Sequence, residues 1–585
     1  MFVIIFSLPL IPIIIVTLAL LATTLLIFRK PRFLLDLFHS PPPLALIFIW
    51  PLAVPSIVAE LVVQTCRRKS VPPCDDALLR LPAYVLAQQI RNGELTSYEL
   101  TLRCIERIKQ ANYYLNAIVV ERFESALQDA RAADLVLLRT TSKENLPQLF
   151  GVPVVVKECF ELQGLPFTSG IRARMGMLGK VDSVTMKRAR RDGLIIVGTT
   201  NTSEGCMFHE SINPVYGLTR NPFDLTRTAG GSSGGCAASV AAFFAPLAIT
   251  SDVGGSTRLP AFYQGLFGHK PTGGTIPNTG TMPHVESDSD ISKYCQLGPT
   301  GRSSYDLFPL LKTLAGKDRV DQMVRCQVGS LQDPKTVMID GTLTVYNVQE
   351  PFMSKFLRCG LHPECREAQR VMVETLRVIR GVRVVELDLS KEFFEFHDSF
   401  AIWAAMMQKA QRGVGFGELI HNNSTWSLLW NMLTEICTLS LLKNKRHTQP
   451  ALGLALLDKL FAVLPDANAE FRKKGVSLKK KLDLLLGGGG SGHGDGSSNS
   501  VMICPSVLCP APLHHENLLR FTSTSQTAIF NVMELPTTAV PYHCLSQDGL
   551  PMGIQVVGGD GCDHVTIAVA NAMEMAGIAG FPLPK

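Results

Sequence analysis

The chain has 585 residues, of which 46% are hydrophobic and 18% are charged. This composition excludes a disordered or fibrous protein and is sufficient for a large buried core. The net charge is only +6, and no stripe of Lys and Arg is interleaved with aromatic residues, so we expect no nucleic-acid partner. The 15 cysteines form no CxxC pair and no zinc-type spacing with histidine, so we expect reduced, packed thiols and no metal site.

The amino-terminal region, residues 1–70, predicts a membrane anchor. Met1 to Phe28 contain no charged side chain, and as a helix they would be about 42 Å long, more than the ~30 Å hydrocarbon core requires. Three basic residues follow within four positions, whereas a cleaved signal peptide would need a basic start and a shorter apolar core. Leu44 to Ala59 is apolar but broken by two prolines, which favours a re-entrant or interfacial segment. The number of inserted segments and the side of the membrane that the rest occupies stay open.

From about residue 75 to residue 585 the sequence is typical of one globular catalytic domain. Thr96 to Asn112 predicts a helix with a capping box, and Ser183 to Asp192 predicts another. Val152 to Val156 and Leu194 to Val197 are apolar runs typical of strands buried on both faces. Strands that alternate with helices predict an α/β fold with a parallel or mixed sheet.

Gly487 to Ser500 is a glycine- and serine-rich stretch that cannot bury side chains, so it predicts a flexible surface loop. His493 within it is not expected to bind a metal. Formal glycosylation sequons begin at Asn201, Asn422 and Asn423, but such matches are frequent by chance and do not decide the compartment.

The most informative stretch contains two glycine- and serine-rich loops. Gly230 to Gly235 directly precedes an apolar run, Cys236 to Pro246, which predicts a buried helix and not a linker. Leu247 to Val253 predicts a strand that ends at Gly254-Gly255-Ser256. About 14 residues of helix advance roughly 21 Å, and about seven residues of strand return roughly 23 Å. The chain therefore returns to its starting level, and Ser232 and Ser256 can face each other at the carboxyl edge of the sheet.

Lys157 is the best candidate for the base that two facing serines need. It directly follows the buried strand GVPVVV and so emerges at the same kind of edge. A desolvated lysine there is expected to have a lowered pKa and to provide a neutral amine. Standing alone, it would be interpreted as a strand-end lysine that reaches water. The two serine loops reverse that interpretation.

A competing interpretation is the nucleophile elbow of α/β-hydrolases, because Gly230 to Gly234 formally match G-x-S-x-G. Ser232 would then be the nucleophile and would need an Asp and a His downstream. His514 and His515 are the nearest histidine candidates, and both look like loop residues. This alternative also leaves the loop at Ser256 unexplained.

Together these residues resemble the amidase signature family. GGSSGG, then DVGGSTR with its serine 24 positions further on, and a lysine in GVPVVVKE before both form that family's triad pattern. Further similar stretches are GTTNTSE (198–204), GHKPT (268–272) and GLPMGIQVV (549–557), in family order across nearly everything beyond residue 80. Within the family, the amino-terminal membrane segment and GLALLDKL (453–460) are similar to the fatty-acid amide hydrolases.

The resemblance implies the fold, the site and the activity. It implies a mixed, twisted sheet surrounded by helices, and no metal or organic cofactor. Ser256 would be the acyl-forming nucleophile, Ser232 the bridging residue and Lys157 the ultimate base and acid. The oxyanion hole would consist of the backbone N–H groups of Val253, Gly254, Gly255 and Ser256. The activity would be hydrolysis of fatty-acid amides at a membrane, with a homodimer left open.

Three alternatives remain at this point: a short-chain or aryl amidase of the same family, a catalytically inactive membrane scaffold, and an amidotransferase component. The apolar amino terminus disfavours the soluble amidotransferase component, and the complete triad disfavours the scaffold. Trp426 to Leu442 is uncharged apart from Glu435 and is followed by a basic end, which predicts either an interfacial helix or an ordinary core helix.

Overall fold

The structure is a computed structural model that describes residues 71–584, except residues 328, 340, 342, 353–359, 412–445, 463–464, 488–498 and 519. The predicted anchor at 1–70, the segment 426–442, His493 and the sequons at 422 and 423 all lie outside the described residues. Among the described residues, none of the helices combines the length and apolar character needed to cross a membrane. The predicted anchor therefore stays a prediction.

The described strands form one large mixed sheet and one small ribbon. In chain order the strands are β1 (Ile118–Glu121), β2 (Pro153–Lys157), β3 (Ile195–Thr200), β4 (Ile212–Asn213), β5 (Gly217–Leu218), β6 (Leu247–Asp252), β7 (Phe267–Lys270), β8 (Gln296–Gly301), β9 (Thr344–Asn347), β10 (Arg383–Glu386), β11 (Ser500–Cys504), β12 (Thr537–Leu545) and β13 (Pro551–Gly558). The large sheet has eleven strands in the order β1-β3-β2-β6-β8-β7-β12-β13-β11-β9-β10, and β4 and β5 pair separately.

Helices pack around this sheet. In chain order they are α1 (Ala83–Asn92), α2 (Ser97–Leu115), α3 (Phe123–Arg139), α4 (Val184–Arg191), α5 (Gly234–Ala241), α6 (Arg258–Tyr263), α7 (Ile291–Tyr294), α8 (Leu307–Leu314), α9 (Pro363–Arg377), α10 (Leu389–Glu392), α11 (Ser399–Ala410), α12 (Gln449–Ala462), α13 (Pro465–Leu486), α14 (Ser525–Val532) and α15 (Asp563–Met575). The mixed sheet surrounded by helices is the fold that the sequence predicts.

The sheet is parallel in two places and antiparallel between them. Strands β3, β2 and β6 run parallel to one another, as do β11, β9 and β10. The central strands β8, β7, β12 and β13 pair antiparallel. In β2, Val154 and Val156 pack into one hydrophobic cluster, and Val155 packs into another on the opposite face. Burial of each valine contributes about 1.5–3 kcal/mol, which explains why this strand is a continuous apolar run.

The local predictions hold in most details. Helix α2 begins after Thr96, whose Oγ1 accepts a hydrogen bond from the Glu99 N–H at 3.0 Å, as the capping pattern predicts. Helix α4 and strand β3 lie where the sequence places them. The Asn201 side chain is fully buried, and its amide nitrogen donates to Gly217 O and Thr219 Oγ1. A buried, engaged amide is not a glycosylation acceptor, so the sequon at 201 is a chance match.

The helix predicted at Cys236 to Pro246 is shorter in the structure. Helix α5 covers only Gly234–Ala241, because Phe243 adopts a left-handed conformation with φ 65°. The Phe244 N–H then donates to Ser239 O at 2.8 Å, the bond that closes a helix carboxyl end. Glycine is usual at the left-handed position, so Phe243 gives no sequence signal for this end. The chain still returns through β6 as predicted.

Candidate active site

Three chain segments converge at one edge of the sheet. Lys157 is the last residue of β2, Ser232 precedes α5, and Ser256 follows β6. Strands β2 and β6 are parallel neighbours, so their carboxyl ends meet at the same edge. This adjacency places the lysine beside the loops that contain the two serines.

Hydrogen bonds join the predicted lysine to the first serine. The Lys157 Nζ donates to Ser232 Oγ at 2.6 Å and to Ser251 Oγ at 2.9 Å, and Lys157 and Ser232 are fully buried. The backbone of the two loops is joined directly, because the Ser233 N–H donates to Ser256 O at 3.3 Å. The peptide bond between Gly231 and Ser232 is cis. The structure thus brings together the three residues that the sequence selects.

Ser251 is a site residue that sequence reasoning missed. It lies near the end of β6, next to the end of β2, and its hydroxyl is the second acceptor for Lys157. The available signal was the polar end of an otherwise apolar strand, LAITSD. A buried hydroxyl at such a strand end needs a partner, and Lys157 provides one.

Ser232, Ser251 and Ser256 line one open cavity with an empty volume of about 1010 Å³. Apart from these hydroxyls the wall is largely apolar, with side chains that include Met207, Val253, Met282, Ile291, Leu297 and Met407. Ser256 is 8% exposed, whereas Ser232 is fully buried. An apolar cavity with a few convergent polar groups is typical of a small-molecule site.

A buried ion pair shapes the loop that contains Ser256. Asp252 and Arg258 have fully buried side chains, and the Arg258 Nη2 lies 2.9 Å from Asp252 Oδ1. The same carboxylate accepts hydrogen bonds from the backbone N–H groups of Gly255 and Thr257 at 2.7 and 3.1 Å. Burial opposes ionisation of Asp252, but the Arg258 guanidinium outweighs it and holds the Asp252 pKa far below its usual range. The carboxylate therefore fixes the turn in its charged form.

The turn itself requires glycine at one position. Gly255 has φ 122°, and a Cβ there would collide with the Thr527 side chain. The Thr527 Oγ1 donates to Gly254 O at 2.7 Å, and the Trp403 Nε1 donates to Val253 O at 3.0 Å. Because the peptide unit is planar, these contacts with the carbonyl groups also fix the direction of the N–H groups of Gly254 and Gly255, two of the four donors that the sequence predicts for the oxyanion hole. Of those four donors, the Gly255 N–H already has Asp252 as acceptor and would have to share its hydrogen with a substrate oxygen.

Several thiols lie near Lys157, and they change its electrostatics. Burial alone lowers the pKa of Lys157, but nearby thiols oppose burial, with the negative charge of Cys206 as the largest contribution, and the pKa of Lys157 is raised above the ordinary 10.5. Burial would raise the pKa of Cys206, but a hydrogen bond from Cys159 and the charge of Lys157 lower it to about 5. The predicted lowering of the Lys157 pKa is therefore wrong in direction. The sequence placed no thiolate beside this lysine.

The histidine of the competing interpretation lies elsewhere. Both ring nitrogens of His514 are engaged, with Glu210 Oε1 at 2.9 Å and with Leu225 O at 3.1 Å. Its role is to join two loops, and the recorded side-chain partner of Ser232 is Lys157 instead. Within the described ranges, His, Cys, Asp and Glu form no group of three or more that could hold a metal ion.

Comparisons with known proteins identify the family of this chain. The family model described as Amidase matches residues 99–567. Human fatty-acid amide hydrolase 2 is 35% identical over 515 residues, which cover 86% of this chain and 91% of that protein. The glutamyl-tRNA(Gln) amidotransferase component that matches from Acidothermus cellulolyticus is 38% identical over 244 residues, covering 42% of this chain and 46% of that protein.

The fold also occurs among solved structures. A structure described as fatty acid amide hydrolase superposes with a TM-score of 0.64 at 20% identity, covering 86% of each chain. The match to the family model covers well over half of this chain, and the human relative exceeds 30% identity over most of its own length. The chain therefore belongs to the amidase family and is an amidase signature hydrolase related to fatty-acid amide hydrolase 2.

Proposed function

We propose that this protein is a membrane-associated serine hydrolase that cleaves fatty-acid amides to a free fatty acid and an amine. Lys157, Ser232 and Ser256 form its catalytic triad. The observation that carries the proposal is the 2.6 Å hydrogen bond between the buried Lys157 Nζ and Ser232 Oγ, at the end of an apolar cavity that Ser256 also lines. Amidase family membership and the relationship to fatty-acid amide hydrolase 2 support it.

In the proposed mechanism, Ser256 Oγ attacks the amide carbonyl carbon and its proton passes through Ser232 to Lys157. The carbonyl oxygen becomes an oxyanion, which backbone N–H groups of Val253 to Ser256 stabilise. Removal of one such donor typically costs about 3–4 kcal/mol of transition-state stabilisation. The relay needs Lys157 as the neutral amine. Because its pKa is raised, hydrolysis should become faster as the pH increases.

The second half of the relay explains why an amidase benefits from a bridging serine. An amine leaves poorly unless it is protonated, so Ser232 delivers to it the proton held by Lys157. The leaving amine then departs, and Ser256 retains the acyl group as an ester. Water, activated through the same pair, hydrolyses this acyl-enzyme and releases the fatty acid. Every step uses residues of this chain.

The cavity wall supports a fatty acyl chain as the substrate group. Met207, Met282, Leu297 and Met407 offer flexible apolar surface beside Ser256. Burial of ten methylenes is worth roughly 8 kcal/mol relative to water. A fatty amide already resides in lipid, however, so the enzyme gains this energy only when it takes the chain directly from a membrane. A membrane-bound enzyme, anchored through residues 1–70, fits that requirement.

Substrate profiling with the full-length chain tests this proposal. Oleamide and oleoyl ethanolamide should be hydrolysed with a kcat/KM at least about tenfold above that of butyramide, because the longer chain buries more apolar surface. The Ser256→Ala variant is the control for background hydrolysis. A preference for butyramide or for an aryl amide would reject the fatty-acid amide and favour a short-chain or aryl amidase.

The second candidate is glutamine amidohydrolysis, the reaction class suggested by the amidotransferase match over 42% of the chain. Its substrate carries a charged amino-acid group, and the polar side chains that the cavity wall offers besides the three serines are those of Thr281, His284, Glu286, Ser289 and Gln411. Release of ammonia from glutamine at a rate above that from oleamide would favour this candidate. An inactive scaffold would give no hydrolysis and no fluorophosphonate labelling at all.

A further inference from the structure

We infer that Cys206 is a covalent modification site that captures α,β-unsaturated aldehydes with an alkyl chain. The site lies in the cavity that Ser256 lines, which is called the acyl cavity below. Cys206 and Cys159 both line the cavity that Ser256 lines. The catalytic mechanism uses neither thiol. Capture at Cys206 would occupy the space that the proposed function assigns to the acyl chain, so the inhibitory consequence rests on that function, whereas the labelling does not.

The surroundings of Cys206 stabilise a reactive sulfur. Its thiol is hydrogen-bonded to Cys159, and its Sγ lies 3.3 Å from Thr202 Oγ1 and 3.9 Å from Ser169 Oγ. The Cys159 Sγ in turn lies 3.8 Å from Ser251 Oγ, the hydroxyl that accepts from Lys157 at 2.9 Å. The sulfur pair is therefore connected to a buried cation through a chain of hydrogen-bond donors. Such an environment favours the thiolate, which is the nucleophilic form of cysteine.

The charges around Cys206 come from several elements. The titratable groups that interact with it are Lys157, Glu158, Cys159, Cys236 and Cys295. Burial raises the pKa of Cys236 and of Cys295 to about 12 and of Cys159 well above 9, so these thiols are uncharged at neutral pH. Burial raises the pKa of Glu158 to about 7, so its charge changes near neutrality. Lys157 is the one cation in this set, and it favours the thiolate over the whole neutral range.

The reaction is a conjugate addition that balances without an oxidant or a reductant. The Cys206 sulfur forms a bond to the β-carbon of the aldehyde, and the π pair of the carbon–carbon double bond moves toward the carbonyl group. The resulting enolate takes a proton at its α-carbon from the Lys157 ammonium, directly or by way of water. A thiolate and an ammonium thus become a thioether and a neutral amine.

The apolar wall selects the class of electrophile. Met207 directly follows Cys206, and Met282, Leu297 and Met407 lie on the same cavity. The Cys206 Sγ lies 3.7 Å from the backbone carbonyl oxygen of Met282, to which the thiol can donate, and both residues line the cavity. An alkyl chain attached to the aldehyde can therefore bury itself while its β-carbon meets the sulfur. A short enal of the same reactivity lacks that gain.

The test is a pH series with trans-2-nonenal on the full-length wild-type chain, followed by peptide mass mapping. From pH 8 to pH 6 an ordinary thiol such as glutathione loses about 100-fold in rate, since its pKa is ≈ 8.5. Modification of Cys206 should change less than about threefold over this range, because its thiolate persists. A Cys206 rate that falls in parallel with glutathione would overturn the inference.

Two matched comparisons complete the test. Relative to glutathione, Cys206 should prefer trans-2-nonenal over crotonaldehyde by at least about tenfold, because the longer chain buries more apolar surface. An equal preference would overturn its placement at the acyl cavity. The exposed thiol Cys544 lines no part of that cavity, so Cys544→Ser should leave the Cys206 reaction intact. If at pH 6 Cys544 is modified and Cys206 is not, the inference fails.

A Lys157→Met variant separates the electrostatic cause from simple access. Loss of the cation should make the Cys206 rate fall with pH as glutathione does, while its preference for the long chain remains. An unchanged, flat pH profile in this variant would contradict the role of Lys157. Labelling of Cys206 in a chain that cleaves no amide would keep this inference and remove the proposed function, and the reverse result would do the opposite.

Discussion

Two of the fully buried cationic residues, Lys157 at the end of β2 and Arg258 at the start of α6, interact with different kinds of partner. Arg258 pairs with the Asp252 carboxylate at 2.9 Å and donates further to Thr527 O and Asn531 Oδ1. Lys157 donates to two hydroxyls, and its nearby anionic group is a thiol, Cys206. Among the described residues, no carboxylate lies within salt-bridge distance of the Lys157 Nζ.

This difference indicates that the charge of Arg258 is structural and that Lys157 is suited to proton transfer. A guanidinium stays protonated, and together with a carboxylate of strongly lowered pKa it holds the Ser256 turn in one shape at any ordinary pH. An amine has a lower ordinary pKa than a guanidinium, so Lys157 can lose its proton more readily than Arg258. We therefore expect Arg258 to contribute chiefly to stability and Lys157 to contribute chiefly to proton transfer.

The largest expected effect is that of replacing Ser256, whose loop is held in place by the Asp252–Arg258 ion pair. Ser256→Ala should abolish both amide hydrolysis and labelling by a long-chain fluorophosphonate, because no other group would form the acyl-enzyme. Gel fluorescence and intact mass measure the labelling. If the Ser256→Ala protein still labels while Ser232→Ala does not, the nucleophile-elbow interpretation is correct.

The second largest effect is expected for Lys157, the residue proposed to transfer protons. Lys157→Ala should lower amide turnover at neutral pH by about three powers of ten or more, because it removes the base and the acid of the relay. Esters should lose less, since their leaving group needs no proton, and alkaline pH should restore part of the activity because hydroxide replaces a missing base. Paired pH–rate profiles for an oleoyl amide and an oleoyl ester measure this. An unaltered amide profile would exclude Lys157 from the relay.

The comparison of the two cations is tested most directly by their stabilities. Arg258→Met leaves the buried Asp252 carboxylate without its cation, which should lower the free energy of unfolding by about 3–5 kcal/mol. Lys157→Met conserves volume and leaves no buried carboxylate behind, so the loss should stay below about 1.5 kcal/mol. Urea unfolding of both variants in one detergent provides the measurement. Equal losses would mean that the two charges share one structural role.

Sequence reasoning selected the residues of the proposed triad because they follow recognisable local patterns. A lysine after a buried valine strand and two serines in glycine-rich loops are each visible in the chain, and the helix-and-strand arithmetic brings the loops together. That arithmetic predicted correctly that the two loops lie together, but the predicted helix was too long. Helix α5 ends at Ala241, and a turn around Phe243 replaces the rest of the predicted helix. The return of β6 matters for the site, and the exact end of the helix does not.

What sequence reasoning missed depends on contacts between distant segments. Thr527 lies 272 positions after Gly255, and its side chain leaves no space for a Cβ at that glycine. Cys206 comes close to Lys157 because β3 pairs with β2. No periodicity or spacing encodes such contacts. The direction of the Lys157 pKa was wrong for the same reason, because desolvation is foreseeable from a buried strand whereas a neighbouring thiolate is not.

The smallest expected effect is that of Cys206→Ala, which tests whether the Cys206 thiolate controls the protonation of Lys157. Cys206→Ala removes the thiolate that raises the Lys157 pKa and leaves burial, which lowers it. The neutral amine then becomes available at lower pH, so the rise of kcat/KM with pH should move to lower pH and hydrolysis at pH 7 should become several-fold faster. Cys236→Ala is the matched control, because that buried thiol also neighbours Lys157 but its pKa of about 12 keeps it uncharged. The measurement is the pH profile of kcat/KM for oleoyl ethanolamide in both variants and the wild type. A shift of equal size in both would assign the effect to packing, and no shift in either would remove the thiolate from the description of the resting site.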